Sequence, residues 1–315
     1  MEKEKILVVV GPTASGKTAT GVALAKKLDG EIVSADSMQI YQQMTIGTAK
    51  PTPEEMEGVP HHLMDFVPPD KPYSVAHFVE DATACIQDIQ SRGKVPIVLG
   101  GTGLYINGLT LPWDFTAQNR DEGVRQLLEE RVREHGPEGL YRELLAVDPD
   151  TAAGMHPNNI KRVIRALEIY RVTGRTKSEW DAEARSIPTI YDYVMTGIHW
   201  DRGELYDRIN ERVDQMFTQG LLGEVQALLS AGYGPELTSL KAIGYKELFP
   251  YLRGERDLEE TIRILKRDTR HFAKRQLTWF RKDARIKWFD FKAIGGPEAL
   301  ADHMVMYYKK TREGN

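Results

Sequence analysis

What the chain lacks narrows its class first. It has one cysteine, Cys85, in 315 residues, which excludes an internal disulfide and a cysteine-rich zinc site. No apolar run approaches the roughly 20 residues that a membrane-spanning helix requires. The N-terminus, Met1-Glu-Lys-Glu-Lys5, leads straight into an apolar segment, without the hydrophobic stretch and cleavage site of a secretory leader. The formal net charge of -4 is not that of a chain basic throughout. There is no internal repeat and no low-complexity tract. These absences point to a cytoplasmic enzyme, with no membrane and no protein partner expected.

What is present is ordinary in bulk and uneven in detail. Hydrophobic residues at 41% and charged residues at 28% fit a globular protein. The length suggests about two domains, at roughly 150 residues each. Residues 262–287 hold ten Lys/Arg against two Asp. A local excess of this size points to an anionic partner better than the total charge does.

Along the chain, Lys5-Ile-Leu-Val-Val-Val10 reads as a buried parallel strand, because apolar residues run on without alternation. A glycine turn follows, then a helix over 17–28 closed by Asp29-Gly30. Glu31-Ile-Val-Ser-Ala35 and Lys94-Val-Pro-Ile-Val-Leu99 are two more strands; the second runs into Gly100-Gly-Thr-Gly103. Strands and helices alternating, with glycines at strand exits, give an α/β fold: a P-loop NTPase-like, doubly wound parallel sheet. Its ligands belong at the carboxyl ends of the strands. From 115 to 194 the pattern is mainly helical and charged. Val194-Met-Thr-Gly-Ile-His199 is again a strand, and Ile286-Lys-Trp-Phe-Asp290 a late one. The expected organisation is a core of 1–114 and 195–315 with a helical insertion domain at 115–194.

Gly11, Pro12, Thr13, Ala14, Ser15, Gly16, Lys17 and Thr18 match the phosphate-loop pattern at every fixed position, between a strand and a helix as that motif demands. Loop N–H groups and the helix N-terminus attract phosphate oxygens. Lys17 adds a full charge, and Thr18 offers a hydroxyl to Mg²⁺. The motif specifies phosphate, not which phosphate. Asp36, at the exit of the next strand, is open to three readings: a Mg²⁺ ligand through water, a proton acceptor, or a plain helix N-cap. Thr102 in the second glycine turn is either a substrate contact or turn chemistry.

Two helical segments carry cations on one side. Arg263, Arg267, Arg270, Lys274 and Arg281 recur at spacings that fall on one stripe. Leu265, Phe272 and Trp279 lie opposite, and Asp268 is the acid between Arg263 and Arg281. Lys161, Arg162 and Arg165 share an arc on a second helix, with Val163, Ile164, Leu167 and Tyr170 on its far side. Asn158 or Asn159 can cap its start and Gly174 its end. A solvated charged face is the plainer reading of either, with Glu168 pairing to Arg165 in the second. The scarcity of acids favours contact with a phosphate backbone.

Several segments together resemble the tRNA dimethylallyltransferase (tRNA isopentenyltransferase) family, in its bacterial type. They are the loop at 11–18, Ser34-Ala-Asp-Ser-Met-Gln-Ile-Tyr41, Ile46-Gly-Thr-Ala-Lys-Pro51, His61-His-Leu-Met-Asp65, Gly100-Gly-Thr-Gly-Leu-Tyr105, 161–168, Gly244-Tyr245 and Ala273-Lys-Arg-Gln-Leu-Thr-Trp-Phe-Arg281. The resemblance implies transfer of a dimethylallyl group from dimethylallyl diphosphate to N6 of the adenine immediately 3′ of a tRNA anticodon. It implies that the loop at 11–18 holds the donor's diphosphate with Mg²⁺ on Thr18, that Lys17, Asp36 and Thr102 are catalytic, and that Asp36 is the general base. It further implies tRNA contacts from Asp36, Ser37, Met38 and Gln39, from Lys161, Arg162, Val163, Ile164 and Arg165, and from Lys274 and Arg281. The insertion would grip the anticodon stem-loop. Two positions depart from the family pattern: Lys161, where Gln is frequent, and Lys241-Ala-Ile-Gly-Tyr-Lys246, where Arg begins and ends the segment.

Three rival readings remain at this level. A small-molecule kinase would use the loop for ATP, but would leave the insertion and the cation stripes without a task. An isopentenyltransferase acting on free AMP or ATP needs no insertion either. The third is a non-catalytic, P-loop RNA-binding switch.

Overall fold

The computed structural model describes residues 3–112, 121–184 and 186–313. The expected start of the insertion at 115 falls outside them. The chain forms two compact units, Met1–Asn107 with Tyr191–Asn315, and Gly108–Ile190.

The first unit is built on six parallel strands. They are β1 (Lys5–Val10), β2 (Gly30–Ser34), β3 (His61–His62), β4 (Val95–Gly100), β5 (Asp192–His199) and β6 (Lys287–Asp290), in the order β3-β2-β4-β1-β5-β6. β1 and the helix Lys17–Leu28 end where the sequence indicates. β5 starts two residues earlier than expected, because Lys5 and Ile6 of β1 extend the ladder to Asp192 and Tyr193. β3 pairs at only two positions, too short to show a strand pattern in sequence.

One face of the sheet is covered by Lys17–Leu28 and the C-terminal helix Pro297–Glu313, through Val22, Leu24, Leu300 and Met304 against Leu7, Ile32, Ile97 and Ile198. A second core gathers Ile40, Tyr41, Met44, Tyr245 and Leu248 with Val213, Leu221, Val225 and Leu265 from the helices Arg202–Thr218, Leu221–Ser230 and Leu258–Phe280.

β1 lies between β4 and β5, with Val10 in register with Gly100 on one side and Gly197 on the other. The turn after β1 and the turn after β4 therefore leave the sheet side by side. This is the switch point at which open α/β sheets hold ligands.

The second unit packs Glu122–His135, Pro137–Val147 and Ile160–Thr173 around Leu128, Leu140, Leu144, Val163, Ile164 and Leu167.

Candidate active site

A cavity of about 600 Å³ opens at the switch point. Residues 13–18 of the phosphate loop line it, with Asp36, Ser37, Met38, Gln39, Gly100, Thr102, Arg208, Arg212 and Gln276. Gly100 explains how closely the turn after β4 approaches the end of β2. A Cβ there would sit 2.2 Å from the Ala35 carbonyl oxygen, so only glycine permits the approach. Ala35 N–H then donates to Leu99 O at 2.8 Å and Thr102 N–H to Ala35 O at 3.2 Å.

Asp36 resolves one of the open readings in part. Its Oδ1 accepts from Met38 N at 2.9 Å and Gln39 N at 3.4 Å, so it does cap the turn that follows. Oδ2 has no hydrogen-bond partner among the described residues. The cap fixes the carboxyl group while one oxygen stays available to a ligand. The Thr102 hydroxyl accepts from Ser37 N at 2.9 Å and donates to Ser37 Oγ at 3.2 Å. Both the turn reading and a place beside the site therefore hold for Thr102. Gln39 Nε2 donates to Thr48 O and Ala49 O, tying the turn at 36–40 to the loop at 45–49. Glu224 anchors that loop from below: its carboxylate accepts from the amides of Thr45, Ile46 and Gly47 and from Tyr245 Oη.

The phosphate end is strongly cationic. Lys17 Nζ donates to Pro12 O at 2.7 Å. Burial pulls its pKa down to about 8; Asp36 opposes this shift and Arg212 adds to it. Burial and neighbouring Arg208 likewise lower the pKa of Arg212. Arg212 and Lys17, both with depressed pKa values and both lining one cavity, are groups that an anion would relieve. The Ser15 hydroxyl is buried without a partner among the described residues. The Thr18 hydroxyl borders the cavity and has no partner among the described residues, so it fits the part of a Mg²⁺ ligand.

Sequence reasoning missed four contributors. Arg212 and Arg208 lie one turn apart on a helix whose other side, Leu205, Ile209 and Val213, is buried; that i,i+4 pair was the available signal. Gln276 bridges the two turns, accepting from Thr13 N at 2.8 Å and donating to Gly101 O at 2.9 Å. Its signal was a polar residue on the buried face of a helix. Glu224 has no local signal, because the backbone amides it holds are 177–179 positions away in the chain.

The basic helices need correction. The helix Leu258–Phe280 begins ahead of the cation stripe and brings Glu259 and Glu260 with it. Arg263 pairs with Glu260, Arg267 with Asp268, and Arg270 donates to Asn210. Among the described residues, only Lys274 and Arg281 of the five have a side chain in neither an ion pair nor a hydrogen bond. Phe272 and Trp279 are half-buried instead of core; Ala273, Gln276 and Phe280 take the core positions. A groove of about 520 Å³ runs between His271, Lys274, Arg275, Thr278, Trp279 and Lys282, an aromatic ring edged by cations.

In the helical unit, Val163 and Ile164 are 1% and 2% exposed. Their side chains are core, which removes them from any contact surface and leaves Lys161 and Arg162 exposed. Arg165 donates to buried Glu168 at 3.0 Å. Asn159 precedes this helix without a side-chain cap, while Gly174 closes it at φ 73°. Tyr170 is half-exposed, and Ala166 and Ile169 complete the buried face.

A family model described as IPP transferase matches residues 39–283, and one described as isopentenyl transferase matches 4–65. The chain belongs to the IPP transferase family. A relative named tRNA dimethylallyltransferase from Alkaliphilus metalliredigens is 51% identical over 91% of this chain and 92% of its own length. Another from Geotalea uraniireducens is 49% identical over 98% of both. The solved tRNA isopentenylpyrophosphate transferase of Bacillus halodurans superposes with a TM-score of 0.74 at 46% identity, covering 99% of this chain and 98% of that one. A eukaryotic dimethylallyltransferase acting on tRNA gives 0.79 at 32% identity, covering 91% and 74%. The phosphate loop and Asp36 are thus parts of an IPP transferase, and the kinase reading has no support.

Proposed function

We propose that the chain transfers a dimethylallyl group from dimethylallyl diphosphate to N6 of the adenine at tRNA position 37, beside the anticodon. The products are N6-isopentenyladenosine and diphosphate. The observation that carries this reading is the joint lining of one cavity by the phosphate loop and the Asp36 carboxyl group, in a chain of this family.

An allylic diphosphate ionises once its leaving group is stabilised. Lys17, Arg212 and the loop amides supply positive charge where the departing diphosphate gathers negative charge, the electrostatic service a phosphate loop gives to phosphoryl transfer. Mg²⁺ held by Thr18 would add to that neutralisation. Adenine N6 is a weak nucleophile because its lone pair is delocalised into the ring. Asp36 Oδ2 accepts the N6 proton as the C–N bond forms. Extruding the base from its stack costs on the order of a few kcal/mol. Cationic surface offsets that cost: Lys161 and Arg162 on the helical unit, Arg281, and Lys274 in the groove with Trp279, where a nucleotide can stack. Among the described residues no helix is long and apolar enough to cross a membrane; a cytoplasmic location is part of this proposal and is supported by the tRNA substrate it assigns.

Incubation with labelled dimethylallyl diphosphate and, in parallel, tRNA, AMP or ATP tests the choice of acceptor. Label is expected on tRNA alone. Label on AMP or ATP at a comparable rate would overturn the tRNA assignment and favour a free-nucleotide acceptor.

Lys17 adds a pH signature. With a pKa of about 8, the unliganded lysine loses its charge above that pH, so kcat/KM for the prenyl donor should fall by up to about tenfold per pH unit there. Stability runs the other way. A lysine whose pKa is lowered by folding is proton-depleted relative to the unfolded chain between about 8 and the ordinary lysine value of 10.5, so this group raises stability as pH climbs through that window. A Lys17→Arg variant should lack the falling limb near pH 8. An identical limb in that variant would assign the titration to another group.

A further inference from the structure

The phosphate loop is held from behind. Trp200, just beyond β5, donates from Nε1 to Ser15 O at 2.9 Å. Arg208 donates from Nε to Ala14 O at 2.9 Å. The Arg208 guanidinium lies 4.6 Å above the Trp200 ring. Trp200 in turn stacks on Phe291, with ring centroids 4.6 Å apart at 22°. Phe291 presses on Gly16, where a Cβ would come within 2.8 Å of its ring.

The segment so braced is conformationally demanding. Ala14 has φ 62° and Gly16 φ 85°. The left-handed region is unfavourable for alanine, and such a residue persists only where its surroundings fix it. In a trans peptide the carbonyl of one residue and the N–H of the next point in opposite directions. Holding the Ala14 and Ser15 carbonyls outward therefore turns the Ser15 and Gly16 N–H groups the other way. Neither amide has an acceptor among the described residues. Ser15 and Gly16 border the cavity, and Trp200 is not among its lining residues.

We infer that Trp200, with Arg208, is a positioning residue for the diphosphate: it sets the Ser15 and Gly16 amides toward the anion without touching it. The inference rests on the diphosphate reading of the loop. Trp200 acts through a carbonyl, so its indole N–H matters as much as its bulk. Trp200→Phe keeps a ring to stack between Arg208 and Phe291 and removes only the donor.

The test measures inorganic pyrophosphate binding by calorimetry, alongside KM for the prenyl donor and for tRNA, in wild type and Trp200→Phe well below the melting temperature of each. The pyrophosphate Kd and the donor KM should rise about fivefold, the effect of one lost hydrogen bond, with the tRNA KM unchanged. A pyrophosphate Kd within twofold of wild type would overturn the positioning role. So would an equal rise in both KM values, which marks a general structural loss. Wild-type protein that binds no pyrophosphate would instead sink the diphosphate reading itself.

Discussion

Asp36→Asn is expected to lower kcat for prenyl transfer by about 10²–10⁴-fold, the usual contribution of a general base, with the tRNA Kd essentially unchanged. The asparagine variant is the informative one because Asp36 has two tasks. Its Oδ1 caps the turn through Met38 N and Gln39 N, and Asn can keep that cap. Alanine would lose both tasks, and a displaced turn would also move Ser37 and Gln39. Gln39 is tied to Thr48 and Ala49, so the disturbance would spread around the cavity mouth. A large fall in kcat for Asp36→Asn at unchanged tRNA affinity identifies proton acceptance as the lost function. Near wild-type turnover would show that N6 needs no base at this position.

Lys17→Ala should reduce kcat/KM for dimethylallyl diphosphate by about 10²–10³-fold, the scale of removing one group that stabilises developing negative charge. KM for tRNA should stay close to wild type. The variant also removes the contact from Lys17 Nζ to Pro12 O, but the loop keeps its other ties, from Gln276 to Thr13 and from Trp200 to Ser15. A loss confined to the donor therefore reports on charge, not on collapse of the loop. Unchanged donor kinetics would mean that the loop serves a different ligand.

How much of this was legible in the sequence depended on whether the signal was local. β1 and the helix Lys17–Leu28 match their expected bounds because an unbroken apolar run and the glycine turn fix them without help from the rest of the chain. The cation stripe was visible, but its partners were not all in view. Glu260 lies three residues ahead of Arg263, outside the window in which the stripe was counted. Val163 and Ile164 sit inside a segment marked by family resemblance, yet helical periodicity already put them on the apolar side, and their burial follows the periodicity. Gln276 and Glu224 escaped notice for a different reason. Each satisfies backbone groups far away in sequence, and nothing near either residue announces those partners. The resemblance supplied the reaction; the cavity shows that the loop at 11–18 and Asp36 share one space.

The central claim is that the phosphate loop serves a leaving diphosphate and that the nucleotide in the site is the adenine being modified. Product analysis tests it most directly: incubate the protein with tRNA, labelled dimethylallyl diphosphate and ATP, then digest the tRNA and quantify labelled nucleoside, free diphosphate and ADP. One diphosphate should appear for each N6-isopentenyladenosine beside the anticodon, with no ADP formed. ADP production in step with any modification, or unlabelled tRNA while ATP is consumed, would contradict the account.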